Sequence, residues 1–230
     1  MGTFKIGVFG GTFNPIHRGH LHIAQNVQSL FALSRVYFVV ASEPPHKRSE
    51  EIIPFAHRYA MTSLAVEKEI SFIPSMVEME PAPSPYTIDT LDKLARIEEN
   101  SRLFFIAGGD SLLEIATWHE SERLLAEYSF IFVKRPWDGH IDAEKCLPAD
   151  VFRRTLDLTG FDRARAKKKI AGTPKDENRI YIVDVKAPDI SSTKIRSLAA
   201  AKGGDRAIRR MLPPAVRVHI RKLRLYRQGI

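Results

Sequence analysis

Two histidines in one glycine-rich segment are the residues of this chain best suited to chemistry. The segment Gly10–His20 reads GGTFNPIHRGH, which places His17 and His20 three residues apart. It follows the apolar run Phe4–Phe9 and leads into a stretch with helical periodicity from Leu21. This order predicts a phosphate site, because glycines let the backbone approach an anion and the first helical N–H groups face it. Both imidazole rings can then face one bound phosphate, so the segment predicts nucleotide chemistry.

The spacing within this segment excludes several other motifs. It has neither the Gly-Lys-Ser/Thr ending of a P-loop nor the Gly-x-Gly-x-x-Gly of a dinucleotide-binding turn. The zinc-binding helix motif has histidines four apart with a glutamate between them, whereas these are three apart with no cysteine or carboxylate cluster. We therefore predict no metal site built from protein ligands. The remaining alternative is a glycine turn with two surface histidines in an ordinary α/β protein.

A second candidate anion site lies near the other end of the chain. The segment Ile190–Arg196 reads ISSTKIR. Ser191 or Ser192 would serve as the N-cap of a helix that runs through residues 198–201. Free N–H groups, the hydroxyls and the bidentate fork of Arg196 would then bind an anion. Taken alone, this pattern also fits a capped helix with no ligand.

Together the two segments resemble the Gly-Gly-Thr/Ser-Phe-Asp-Pro-x-His-x-Gly-His and Ile-Ser-Ser-Thr-x-Ile-Arg motifs of the HxGH nucleotidyltransferase superfamily. The resemblance is specifically to its bacterial nicotinate-nucleotide adenylyltransferases. Four further segments occur in the family's order: Pro44–Lys47 (PPHK), Tyr86–Leu91 (YTIDTL), Ile106–Ser111 (IAGGDS) and Trp118. The resemblance covers nearly the whole chain outside residues 137–178.

The resemblance implies which residues form the site. We expect catalytic roles for His17, His20 and Arg196. We expect ATP to be bound by Gly10, Gly11, Thr12, Phe13, Lys47, Gly108, Asp110, Ser192 and Thr193. We expect the mononucleotide to be bound by Asn14, His46, Tyr86, Thr87 and Trp118. Mg²⁺ would bind mainly through the ATP phosphates and water rather than through a protein cage.

The implied reaction is transfer of AMP from ATP to nicotinate mononucleotide, which forms deamido-NAD and pyrophosphate in NAD biosynthesis. The acceptor's phosphate is already an anionic nucleophile, so catalysis would rest on positioning and charge stabilisation. Two alternatives use another acceptor, nicotinamide mononucleotide or phosphopantetheine; the Tyr-Thr block and Trp118 disfavour the second. A non-catalytic nucleic-acid-binding protein is the third alternative, which the intact histidine pair disfavours.

Three residues depart from the family pattern. Asn14 stands where aspartate is commoner, which removes a charge beside the phosphate site. Gly109 replaces the more usual alanine. His119 follows Trp118 where an aromatic residue such as tyrosine is frequent, so the pyridine pocket is the least determined part of the site.

Composition and charge limit the class of protein. A chain of 230 residues with 44% hydrophobic residues is long enough to bury one core, so we expect a single domain over residues 1–230. Its single cysteine, Cys146, favours a reducing compartment, and we see no leader or membrane-length apolar run, so we expect a cytoplasmic protein. Of the net charge of +8, the segment 191–230 contributes eleven lysines and arginines against Asp205 alone. Interleaved apolar residues favour a solvated helical face there rather than a nucleic-acid surface. Oligomeric state is left open.

Strand-like and helix-like segments alternate along the chain and must position these residues. We predict strands over residues 4–9, 36–40, 70–76, 103–107, 128–133 and 179–185, and helices over 20–31, 55–69 and 86–98. Fully apolar strands in this alternation predict an α/β fold, a doubly wound, mostly parallel sheet of Rossmann-like nucleotidyltransferase type with a small helical C-terminal part at 191–230. We expect 137–178 to be an insertion with one helix at 149–156 and a mobile basic loop around Arg163–Lys169. Nucleotides would bind at the carboxyl ends of the strands, beside the first turn.

Overall fold

Seven parallel strands form one sheet in the part of the chain that the computed structural model describes, residues 4–42, 52–79, 84–135, 139, 142–174 and 177–227. The strand order is β3-β2-β1-β4-β5-β7-β6. The strands are β1 (Phe4–Gly11), β2 (Arg35–Val40), β3 (Phe72–Ser75), β4 (Ser101–Gly108), β5 (Ser129–Lys134), β6 (Thr155–Asp157) and β7 (Ile180–Asp184). The predicted doubly wound parallel fold is confirmed, and every pairing between these strands is parallel.

Helices cover both faces of the sheet. One face carries α1 (Arg18–Phe31), α2 (Phe55–Val66), α8 (Arg163–Ala171), α9 (Ser192–Ala200), α10 (Gly204–Ala207) and α11 (Pro214–Lys222). The other carries α3 (Thr87–Ile97), α4 (Gly109–Glu114), α5 (Ser121–Glu127), α6 (Ala143–Cys146) and α7 (Ala149–Arg153). Each face has its own apolar core, because strands buried on both sides offer side chains in both directions. None of the helices in the described ranges has the length and apolarity required to cross a membrane.

Apolar spacing explains why the central elements form. In α3, Ile88, Leu91 and Leu94 recur at helical intervals and are all at most 1% exposed. In β4 the run Leu103–Ala107 is buried on both sides, as its unbroken apolar sequence predicts. Substituting alanine for a buried leucine such as Leu91 costs roughly 2–5 kcal/mol of stability. These cores hold the carboxyl edge of the sheet in place.

The strand order creates a crevice between β1 and β4. From β1 the chain moves outward through β2 to β3, then returns to place β4 on the other side of β1. The connections that leave the carboxyl ends of β1 and β4 therefore diverge to opposite faces of the sheet. Such a switch point opens a crevice at those ends, and ligands of this fold class bind there. The predicted glycine turn, Gly10–Thr12, lies at this position, but Gly10 and Gly11 belong to β1 and pair with Val39 and Val40 of β2.

The segment 137–178 differs from its sequence-based description. The helix expected at 149–156 ends at Arg153, and β6 follows and pairs with β7. The expected mobile basic loop is wrong, because its residues form α8. Asp162 caps this helix by accepting the N–H groups of Ala164 and Arg165, each at 2.9 Å. Lysine and arginine favour helices, and buried Ala166 and Ile170 anchor this one to the core.

Candidate active site

A cavity of about 370 Å³ opens at the carboxyl ends of β1 and β4. Seven of the predicted site residues line it together: Gly10, Gly11, Thr12, Tyr86, Thr87, Gly108 and Trp118. The same cavity is also lined by Ala41, Glu78, Pro85, Phe105, Ala107, Ser111, Thr117 and His119. The glycine turn and the start of α3 therefore face each other across one cavity. Their predicted roles in binding ATP and the mononucleotide stay predictions.

At Gly11 and Gly108 a side chain would collide with a neighbouring side chain. A Cβ atom on Gly11 would lie 2.9 Å from the ring of Phe13, and one on Gly108 would lie 2.3 Å from Oδ1 of Asp110. The Phe13 ring is 2% exposed and packs edge-on against His20, with centroids 5.1 Å apart. Phe13 thus packs against His20 and does not line the cavity. Asp110 lies on the rim, with 71% of its side chain exposed.

The two histidines of the glycine segment stack on each other. His17 is the N-cap of α1, and its ring lies 3.7 Å from that of His20, centroid to centroid, with an angle of 26° between the planes. The backbone N–H of His17 donates to Nδ1 of His20 at 3.2 Å. Because Nδ1 accepts this bond, the hydrogen of a neutral His20 ring is on Nε2, which is thereby a donor. Both rings are thus held at the start of α1, as the three-residue spacing predicts.

His17 is a neutral group at neutral pH. The residue is 5% exposed, and burial, together with the positive charge of Arg135, lowers the pKa of its imidazole to about 4. Its Nδ1 atom is buried and has no hydrogen-bond partner among the described residues. His17 therefore contributes ring polarity to the site rather than a positive charge.

Arg135 is a residue of the site that sequence reasoning missed. It directly follows β5, so it lies at the same carboxyl edge as the glycine turn, and its guanidinium lies 3.5 Å from Oδ2 of Asp110. The available signal was its position, a cation at the end of the apolar run Phe130–Val133. Arg135 therefore places a positive charge at this edge of the sheet, whereas His17 is neutral.

The start of α9 is attached directly to the loop between β1 and α1. Ser191 is the N-cap and accepts the N–H of Lys194 at 3.2 Å. The Ser192 hydroxyl donates to the carbonyl of Pro15 at 2.9 Å, and Nη1 of Arg196 donates to the carbonyl of Asn14 at 3.1 Å. The two predicted anion sites are thus adjacent. Thr193 is exposed on the first turn of α9.

Asn14 is a residue of this loop and is 3% exposed. Its Oδ1 accepts a hydrogen bond from the Tyr226 hydroxyl at 2.9 Å. Asn14 therefore faces the protein interior, and its predicted contact with the mononucleotide stays a prediction. Tyr226 was not predicted, since 212 residues separate it from its partner.

A buried pair braces the turns after β1 and β2. Arg58 is 2% exposed and donates to the carbonyls of Thr12 at 3.0 Å and Ala41 at 2.6 Å. Glu78 is 8% exposed and accepts the N–H of Ser42 at 2.9 Å. Burial raises the pKa of Glu78, while its hydrogen bonds and Arg58 act to lower it. Sequence reasoning missed both residues, although Arg58 is the one formally charged residue of α2.

Aromatic rings form the other wall of the cavity. Trp118 meets Phe105 edge-on, with centroids 6.0 Å apart, and His119 stacks on Tyr86 with centroids 4.2 Å apart. Tyr86 is 43% exposed, so part of its ring is free to contact a ligand. Flat aromatic surfaces of this kind suit a planar heterocycle.

Two predicted site residues, His46 and Lys47, lie outside the described residues. Within the described ranges no group of three or more His, Cys, Asp or Glu side chains is arranged to hold a metal ion.

Comparisons with known proteins agree with this geometry. A protein-family model for cytidylyltransferase-like domains matches residues 8–198. A probable nicotinate-nucleotide adenylyltransferase of Geobacter metallireducens is 36% identical over 222 residues, which cover 96% of this chain and 98% of the relative. One of Thermus thermophilus is 38% identical over 226 residues, covering 97% and 100%. The solved structure of Plasmodium falciparum nicotinic acid mononucleotide adenylyltransferase complexed with NaAD has a TM-score of 0.69 at 19% identity, with 97% of both chains covered, and shares the fold.

Proposed function

Because the chain belongs to the nicotinate-nucleotide adenylyltransferase family, we propose that it transfers AMP from ATP to nicotinate mononucleotide. A phosphate oxygen of the mononucleotide forms a bond to the α-phosphorus of ATP. The bond from that phosphorus to the bridging oxygen breaks, and pyrophosphate leaves with the electron pair. The products are deamido-NAD and pyrophosphate.

The observation that carries the proposal is the stacked histidine pair beside the docked start of α9. His17 and His20 begin α1, and Arg196 contacts the carbonyl of Asn14 in the same loop. Imidazole N–H groups, helix N–H groups and a guanidinium converge there, which is the donor set that stabilises charge in phosphoryl transfer. His20 Nε2 and the glycine turn are assigned to the α- and β-phosphates. Arg196, with Ser192, Thr193 and Lys47, is assigned to the departing pyrophosphate.

The acceptor is assigned to the cavity between the glycine turn and α3. Tyr86, Trp118 and His119 supply aromatic surfaces for the pyridine ring. Nicotinate differs from nicotinamide by its carboxylate, so its selection requires donors with no opposing acceptor. The N–H groups near Thr87 and Trp118 are our candidates for these donors. Gly108 and Asp110 are assigned to the nucleotide sugar.

We assign Mg²⁺ mainly to the phosphates of ATP and to water, because this cation usually keeps several waters and binds largely through substrate phosphates. When bound, it neutralises developing charge on the phosphate oxygens. The protein's own contribution is to orient the two nucleotides.

Mg²⁺-dependent release of pyrophosphate from ATP tests the proposal. Nicotinate mononucleotide, nicotinamide mononucleotide and phosphopantetheine are compared side by side, and the rate with nicotinate mononucleotide is expected to far exceed the other two. A preference for nicotinamide mononucleotide would keep the chemistry but overturn the acceptor assignment. No release with any acceptor would overturn the function. A cytoplasmic location and a single domain over residues 1–230 stay predictions.

A further inference from the structure

The last residues that the structure describes return to the loop that begins α1. After α11 ends at Lys222, Arg224 and Tyr226 adopt left-handed backbone conformations, with φ of 54° and 66°. These conformations are uncommon for residues other than glycine, so the surrounding structure must hold them. The N–H of Leu225 donates to the carbonyl of Ile220 at 3.0 Å, and both Leu225 and Tyr226 pack against the core. The segment Leu223–Arg227 is therefore a built turn rather than a frayed end.

This turn brings the Tyr226 hydroxyl to the side chain of Asn14. The Tyr226 hydroxyl donates to Oδ1 of Asn14 at 2.9 Å, and Asn14 is almost fully buried. Burial raises the pKa of Tyr226, so its phenol keeps its proton and remains a donor throughout the physiological pH range. A buried amide oxygen that loses its donor is costly, which makes the contact specific to this orientation of Asn14.

Asn14 joins this contact to the transferase machinery. Its backbone carbonyl accepts from Arg196, and the loop that contains it ends at His17. Tyr226 also lies close enough to Arg196 and Arg58 for both charges to act on its phenol. Asn14 thus has a side-chain contact to the C-terminal turn and a backbone contact to α9.

We propose that Tyr226 is a positioning residue of the transferase site, which holds Asn14 and through it the loop of residues 12–17 in the productive conformation. This inference rests on the proposed function. The C-terminal turn thus has a role in the reaction, although 212 residues separate Tyr226 from Asn14. Preorganised donors act only when held within a fraction of an ångström of their position, so a loosened loop lowers the rate of the chemical step.

Tyr226→Phe tests the proposal, since it removes only the hydroxyl. Loss of one such bond is worth about tenfold in rate if its full effect reaches the transition state. We therefore expect kcat to fall about tenfold, with the KM for nicotinate mononucleotide changed by no more than roughly twofold, because the aromatic wall of that pocket, Tyr86 and Trp118, lies outside the loop of residues 12–17. A second readout is hydrogen exchange of the amides of residues 12–17, which should become several-fold faster.

Tyr128→Phe is the matched control. Its hydroxyl donates to Oδ1 of Asp92 at 2.6 Å. Tyr128 directly precedes β5, so it lies at the amino ends of the strands, opposite the carboxyl ends where the candidate site lies. Tyr128→Phe should lower the melting temperature while leaving kcat and the exchange of residues 12–17 unchanged. If Tyr226→Phe behaves in the same way, Tyr226 is merely structural and the proposal is wrong.

A double-mutant cycle identifies the route of the effect. In an Asn14→Ala background, Tyr226→Phe should have no further effect on kcat, whereas additive losses would show that Tyr226 does not act through Asn14. Asn14→Asp keeps an acceptor oxygen and should preserve the effect of Tyr226→Phe, which covers the case in which Asn14→Ala fails to fold. A wild-type chain that releases no pyrophosphate would overturn the proposed function alone, because the exchange measurement still tests the hold of Tyr226 on the loop.

Discussion

His17 holds His20 through its backbone, while its own ring covers that of His20. The N–H of His17 donates to Nδ1 of His20 at 3.2 Å, and the ring centroids are 3.7 Å apart. One residue therefore determines both the tautomer and the orientation of the other. The arrangement makes His20 the better candidate for direct contact with phosphate, with His17 as its support.

His20→Ala should lower kcat at least about 10²-fold, the usual effect of removing one preorganised donor from a transition state. His22→Ala, on the same helix and outside the predicted site, is the control and should keep the wild-type rate. Steady-state pyrophosphate release measures both. A near-normal kcat for His20→Ala would remove His20 from the mechanism.

Acid should destabilise the protein through His17. Its pKa is about 4 in the folded state and 6.5 as a free side chain, so between these values the unfolded state binds more protons. The stability associated with neutral His17 is complete above about pH 6.5 and is lost as the pH falls towards 4; its upper bound is about 3 kcal/mol. Melting temperatures from pH 7 to 4.5 should therefore fall more steeply for wild type than for His17→Gln. Parallel curves for the two proteins would contradict the assigned burial effect.

Arg196→Lys should act mainly on ATP and pyrophosphate. The guanidinium donates to the Asn14 carbonyl and has further donors for phosphate, whereas an ammonium cannot reproduce this planar geometry. We expect kcat/KM for ATP to fall roughly tenfold or more, with a smaller change in KM for nicotinate mononucleotide. Lys194→Gln removes an exposed charge from the same helix and should have little effect. Equal effects of the two substitutions would indicate general electrostatics rather than a specific contact.

Glu78→Ala should lower the free energy of unfolding, because Glu78 braces the turn after β2. It removes the acceptor of the buried Ser42 N–H and a charge that faces Arg58, at a cost of about 1–3 kcal/mol. Urea denaturation measures the change, with exposed Glu99→Ala as the control. If both variants unfold at the same urea concentration as wild type, Glu78 does not brace the turn after β2.

The parts of the fold that were predicted correctly depend on local patterns. The burial of β4 and the helical spacing in α3 are visible within a few residues. Gly10 and Gly11 were expected in a turn, whereas they are the last two residues of β1. The bracing of the loop that follows them depends on distant residues. Arg58 and Tyr226 reach it from other elements, and a single sequence does not indicate which distant side chains meet. The basic run in α8 was mistaken for a loop because its many charges outweighed the Asp162 cap and the two buried apolar positions.

The contacts of the loop after β1 determine the point during synthesis at which this loop is fully held. The carbonyls of Asn14 and Pro15 bond to Arg196 and Ser192, and the Asn14 side chain bonds to Tyr226. The loop leaves the ribosome before these partners, which follow it by 177 to 212 residues. During synthesis it therefore lacks these contacts until α9 and Tyr226 have emerged. Premature termination anywhere before α9 yields a product that carries the histidines and lacks what holds them.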